Sequence, residues 1–69
     1  MVDDRELTTH ARGMAGALKA LGPTTRAQVL GMLRVLALTE EQARDVLAYG
    51  LARGIMATLD ENIIAGPEA

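Results

Sequence analysis

The predicted fold of this chain depends most on the stretch TEEQARDVLAYGLARGIMATL, which occupies residues 39–59. Thr39 and Gln42 have the spacing of a capping box, in which each side chain satisfies a free backbone N–H group at the start of a helix. The two glutamates between them suit the first turn, because the helix dipole favours anions there. We therefore predict that the longest helix of the chain spans residues 40–59.

The two halves of this predicted helix differ in character. In the first half, the face opposite the predicted core is solvent-exposed and carries Glu41, Arg44 and Asp45. In the second half, Arg53 is the only charged residue. A helix that is apolar all round is usually buried, and two short neighbouring helices would not cover this one. We therefore expect a partner to cover an interface formed by Tyr49, Ala52, Met56, Leu59 and Ile63, with Arg53 at its rim. Tyrosine, methionine and arginine are common interface anchors.

Gly50 and Gly54 lie four residues apart within the same predicted helix. Such a pair lets another backbone approach closely. We favour the interpretation that one of the other helices of the chain crosses closely at these glycines. The alternative is that the glycines form a dedicated interface between two copies of the chain.

The first helix is predicted at residues 4–21, where apolar residues recur at helical spacing. Asp3 and Glu6 have the spacing of a capping box. Gly22 and Pro23 end the helix, because glycine suits the left-handed position after a helix and proline cannot continue it. The apolar stripe consists of Leu7, Ala11, Met14, Ala15, Leu18 and Leu21.

The second helix is predicted at residues 26–38, and Thr25 and Gln28 form its capping box. It is apolar over more than half of its circumference, because Val35 and Leu38 lie outside its main apolar face. After the third helix, residues 60–62 either end the helix or begin a short fourth turn. We expect residues 65–69 to be a loose tail.

Composition favours an all-α fold. Apolar residues make up 49% of the chain, but Tyr49 is its single aromatic residue, and sheets are usually richer in aromatic and β-branched residues. We predict one domain, residues 1–69, that folds as a small three-helix bundle. A chain of 69 residues without cysteine has a small core and no disulfides to stabilise it, so we expect it to self-associate as a homodimer.

The charges are unevenly distributed along the chain, although the net charge is only −2. No acidic residue lies between Glu6 and Glu40, and the segment 12–34 carries the candidate basic patch Arg12, Lys19, Arg26 and Arg34. We interpret these cations as solvent-exposed side chains on the outer faces of the helices. Nucleic-acid binding is the disfavoured alternative, because nucleic-acid-binding domains usually carry a positive excess and the predicted third helix begins with glutamates.

No residue pattern predicts catalysis, a cofactor site or a metal site. The paired carboxylates stand near predicted helix ends, where capping explains them. The chain has no serine or cysteine, and His10 is its single histidine, so the usual nucleophile–base pairs and zinc ligand sets are absent. We therefore expect that the protein is not an enzyme.

These observations predict a small adaptor, docking or regulatory protein that binds itself or another protein through an apolar helical face. The alternative is a small nucleic-acid-associated transcriptional regulator that uses the basic segment 12–34. No uncharged run is long enough to span a membrane, and the acidic N-terminal segment is unlike a secretory signal. We therefore expect a cytoplasmic protein.

Overall fold

The structure, a computed structural model, describes residues 4–69 and contains three helices and a three-stranded antiparallel sheet. The elements in chain order are α1 (Asp4–Leu21), β1 (Thr24–Thr25), α2 (Arg26–Val35), α3 (Glu40–Arg53), β2 (Met56–Leu59) and β3 (Asn62–Ala65). In the sheet, β3 lies between β1 and β2. The prediction of an all-α helical bundle is therefore wrong, and the fold is a mixture of helices and sheet.

The error arises at the end of α3, which stops at Arg53 rather than at residue 59. Gly54 has a φ of 75°, a left-handed conformation that glycine adopts at little cost. The N–H groups of Gly54 and Ile55 donate to the carbonyl oxygens of Leu51 and Gly50 at 3.4 and 2.9 Å. This pair of hydrogen bonds is a Schellman motif, which ends a helix. The residues after it are free to form a strand.

Residues 56–65 form a β-hairpin where a continued helix or a fourth turn was expected. Leu59 pairs with Asn62, so the loop consists of Asp60 and Glu61 alone. Asp60 has a φ of 56°, and aspartate tolerates the left-handed conformation better than most residues. The short strand β1 joins the other edge of β3, where Thr24 pairs with Ile63.

The segment after β3, expected to be a loose tail, is hydrogen-bonded to the end of α3. Ala65 pairs with Met56 in the sheet. The N–H of Gly66 donates to the carbonyl oxygen of Ile55 at 2.8 Å, and the N–H of Glu68 donates to that of Gly54 at 2.9 Å. A Cβ added at Gly66 would overlap the carbonyl group of Gly54, so this close approach requires glycine.

The predicted helix starts of α2 and α3 are confirmed. The N–H of Gln42 donates to Thr39 Oγ1 at 3.1 Å, and the N–H of Thr39 donates to Gln42 Oε1 at 2.9 Å. Thr25 and Gln28 form the same reciprocal pair. The capping box predicted at Asp3 lies outside the described residues. α2 ends three residues earlier than predicted, because Leu36 and Ala37 form a turn in which Ala37 has a φ of 67°.

The core lies between the three helices and one face of the sheet. α1 packs against α3 and β3, and α2 packs mainly against α3. The core residues are Ala11, Met14, Ala15, Leu18, Val29, Leu33, Ala43, Val46, Leu47, Ile55, Met56 and Ile63. Among the described residues, no helix has both the length and the hydropathy needed to cross a bilayer.

Candidate functional site

The residues of the predicted interface do not form one surface in the fold. Met56 and Ile63 are each 1% exposed and belong to the core, so a partner cannot reach them while the chain is folded. Ala52 is exposed on α3, and Leu59 is exposed at the end of β2. The prediction treats residues 40–59 as one helix, whereas residues 56–59 form strand β2, whose successive side chains lie on opposite faces of the sheet.

The glycine pair in α3 is used within the chain. Gly50 is buried against Ala11 of α1 and Met56 of β2, and a Cβ added at residue 50 would lie 3.4 Å from the Cβ of Ala11. Gly54 ends the helix. The close approach of α1 at Gly50 agrees with the crossing that the sequence favoured.

A polar cleft brings together residues that the sequence assigned to different sites. Tyr49 and Arg53, from the predicted interface, share its wall with Arg12, from the predicted basic patch. The cleft has a volume of about 400 Å³, and its lining residues are Thr8, Arg12, Tyr49, Arg53, Ile55 and Glu68. We call it the arginine cleft.

Tyr49 is held in a defined position at the wall of the arginine cleft. Thr8 Oγ1 donates to the carbonyl oxygen of Asp4 at 2.8 Å. A hydroxyl group has one proton, so the Tyr49 hydroxyl donates to Thr8 Oγ1, also at 2.8 Å. The guanidinium carbon of Arg53 lies 5.2 Å from the centre of the Tyr49 ring, within the range of a cation–π contact. The ring therefore positions Arg53 at the wall of the cleft that Arg12 also lines.

The other three cations of the predicted basic patch lie away from this cleft. Lys19 is in the last turn of α1, Arg26 is the first residue of α2, and Arg34 is in the last turn of α2. All three are exposed. The four cations of segment 12–34 are thus spread over two helices, and one of them belongs to the arginine cleft.

A second candidate surface is an apolar groove between the end of α1 and the outer side of α2. Val35 is 85% exposed and Leu21 is 62% exposed, and both line a groove of about 460 Å³. We call it the α2 groove. Its lining residues are Leu21, Thr24, Gln28, Gly31, Met32 and Val35. The sequence signal for it was the position of Val35 outside the main apolar face of α2.

The helices α2 and α3 are joined by the four residues 36–39, so they have the element order of a helix-turn-helix, and the β2–β3 hairpin follows them. DNA-binding proteins of this kind read bases with the first residues of the second helix. Here Glu40, Glu41 and Asp45 occupy that part of α3, and Glu40 holds Arg44 at 2.8 Å. These carboxylates would repel the phosphates of a duplex.

The described residues contain no group of three or more His, Asp or Glu side chains placed to hold a metal ion. Comparison of the chain with protein-family models, with curated proteins and with solved structures finds no match.

Proposed function

We propose that this chain is a small protein-interaction module that acts by binding, and that it contacts a second copy of itself or another protein through the α2 groove. The observation that carries the proposal is the exposure of Val35 and Leu21, at 85% and 62%, in one groove. Covering an aliphatic side chain of this size contributes about 1.5–3 kcal/mol. A chain with so small a core gains substantially from a partner that covers both.

The shape of the α2 groove supports a helical partner. Gln28, Gly31 and Val35 follow one another at intervals of three and four residues along α2, which is the spacing of a helix-packing ridge. A Cβ added at Gly31 would meet no atom within 4 Å, so a partner backbone can approach α2 closely at this point. An apolar helix laid along the groove would use this opening.

The size of the molecule allows such an interface. A stable protein–protein contact buries roughly 800 Å² on each partner. The described chain exposes 4398 Å², so a contact of that size would use about a fifth of its surface. The α2 groove provides the apolar centre of such a contact.

The proposal is tested by measuring the molar mass in solution by light scattering at micromolar protein concentration. The wild type is expected to be a dimer, and Val35→Glu is expected to be a folded monomer, because a charge in the groove must be desolvated on association. Ala52→Glu is the matched control, because Ala52 is an exposed position on α3, outside the groove. Dissociation by Ala52→Glu alone would move the interface to α3. A monomeric wild type would remove self-association, and a partner protein captured equally by wild type and Val35→Glu would exclude the groove.

Nucleic-acid binding is the second candidate function, and the helix-turn-helix pair with its hairpin supports it. The charges oppose it, since Glu40, Glu41 and Asp45 lie at the reading end of α3 and the hairpin loop adds Asp60 and Glu61. We therefore expect no mobility shift with a DNA duplex at low salt, where electrostatic binding is strongest. A salt-sensitive shift that is reduced in Arg26→Gln or Arg34→Gln would reverse the order of the two candidates.

A further inference from the structure

The arginine cleft combines the features of a site for a small anion. Its two guanidinium groups come from different helices, Arg12 from α1 and Arg53 from α3. Among residues 4–69, Arg44 and Glu40 form an ion pair, and neither Arg12 nor Arg53 is paired with a carboxylate within 4 Å. Arginine presents its N–H groups in a planar fork that matches a carboxylate or phosphate with two parallel hydrogen bonds.

We propose that the arginine cleft binds a carboxylate group, held between Arg12 and Arg53. This site is separate from the α2 groove, so it does not depend on the proposed function of that groove. The cleft opens between α1, α3 and the segment that follows β3. The stacking of Arg53 on Tyr49 reduces the freedom of one guanidinium before the ligand arrives, which lowers the entropic cost of binding.

Glu68 determines which anion fits. Its side chain lines the same cleft as the two arginines, so the three side chains together carry a net charge of +1. A monoanionic carboxylate matches this charge, whereas a phosphate dianion would face the like charge of Glu68. The hydrogen bond from the N–H of Glu68 to the carbonyl oxygen of Gly54 keeps this residue beside the end of α3.

The composition of the chain supplies a direct readout. Tyr49 is the only aromatic residue, so all of the intrinsic fluorescence of the protein comes from the wall of the arginine cleft. The experiment is a titration of the purified chain with sodium acetate at constant ionic strength, with sodium chloride as the balancing salt. Amide chemical shifts of Tyr49 and Ile55 are recorded in parallel as a second signal.

We expect a saturable change with acetate. Arg12→Gln or Arg53→Gln should weaken binding about tenfold or more, since each removes charge-assisted hydrogen bonds. Arg34→Gln is the matched control, because Arg34 is an exposed arginine on α2 outside the cleft, and it should leave the affinity unchanged. Glu68→Gln should strengthen binding several-fold, because it removes the competing negative charge.

Three results would overturn the proposal. The first is a response to acetate that is linear and equal to the response to chloride. The second is an affinity that Arg12→Gln and Arg34→Gln reduce alike, because general charge screening would then explain the signal. The third is tighter binding of phosphate than of acetate in a parallel titration, which would contradict the carboxylate class. All of the substituted residues are exposed, and circular dichroism of each variant checks that it is folded.

Discussion

At the scale of single residues, two glycines determine the path of the C-terminal part of the chain. Gly54 turns the backbone out of α3 with a positive φ, and Gly66 lies so close to Gly54 that a side chain would overlap its carbonyl group. Together they bring the segment after β3 against the end of α3. That contact places Glu68 at the arginine cleft.

Gly66→Ala is expected to lower the free energy of unfolding by about 2 kcal/mol or more, because the neighbouring atoms are backbone atoms that cannot rotate away. Gly13→Ala is the matched control. It lies in the interior of α1, and a Cβ there would meet no atom within 4 Å, so it should raise the free energy of unfolding by about 0.5–1 kcal/mol. Urea denaturation followed by circular dichroism measures both. Equal shifts of the two variants would contradict the close approach at Gly66.

At the scale of elements, the hairpin supplies core residues that a continuation of α3 would not supply. Met56 and Ile63 come from adjacent strands and are both buried, although they lie seven positions apart in the chain. A glutamate at residue 56 would therefore unfold the protein whatever its oligomeric state. For this reason the test of association uses Val35, which is exposed, and not Met56.

Ile63→Ala is expected to cost about 2–4 kcal/mol of unfolding free energy, because Ile63 is 1% exposed and its loss leaves a cavity. Ile64→Ala should cost about 1 kcal/mol or less, since Ile64 is only half-buried and successive residues of a strand point to opposite faces. Thermal or urea unfolding compares the two variants. Equal costs would contradict the placement of Ile63 and Ile64 on opposite faces of β3.

At the scale of the whole molecule, the proposed association would add to the stability of the fold. A 69-residue chain buries only about 60% of the surface that its unfolded form exposes. If the α2 groove joins two copies, the midpoint of thermal unfolding should rise by a few degrees for each tenfold increase in protein concentration. The midpoint of Val35→Glu should not depend on concentration. Scanning calorimetry at several concentrations measures both, and a midpoint of the wild type that stays constant would contradict the dimer.

The sequence predicted those parts of the fold that depend on neighbouring residues. The capping boxes at Thr25 and Thr39 involve residues three apart, and both are present. The apolar stripe of α1 was predicted from spacing alone. The pairing of β1 with β3 was missed because it joins distant residues, such as Thr24 and Ile63, and because β1 has only two residues. Gly54 carried the decisive signal, but a glycine within an apolar run is also compatible with a continuous helix.

The arginine cleft was also missed by the sequence analysis, because it joins residues that are distant in the sequence. Tyr49, Arg53 and Arg12 were each selected from the sequence, the first two for an apolar interface and the third for a basic patch. Their meeting depends on how α1 packs against α3, which spacing within one helix does not specify. Thr8 and Glu68 carried no signal, since a lone threonine and a glutamate in an expected tail have no pattern around them.

The central position of β3 in the sheet has a consequence for the order of events during folding. The strands β1 and β2 do not pair with each other, and each pairs only with β3 (Asn62–Ala65), so the sheet cannot form before β3 is in place. The same strand closes the core against α1, about 40 residues earlier in the chain. Helices can form within microseconds, whereas we expect the pairing of β3 with β1 to be slower, because it joins Thr24 to Ile63 across a long loop.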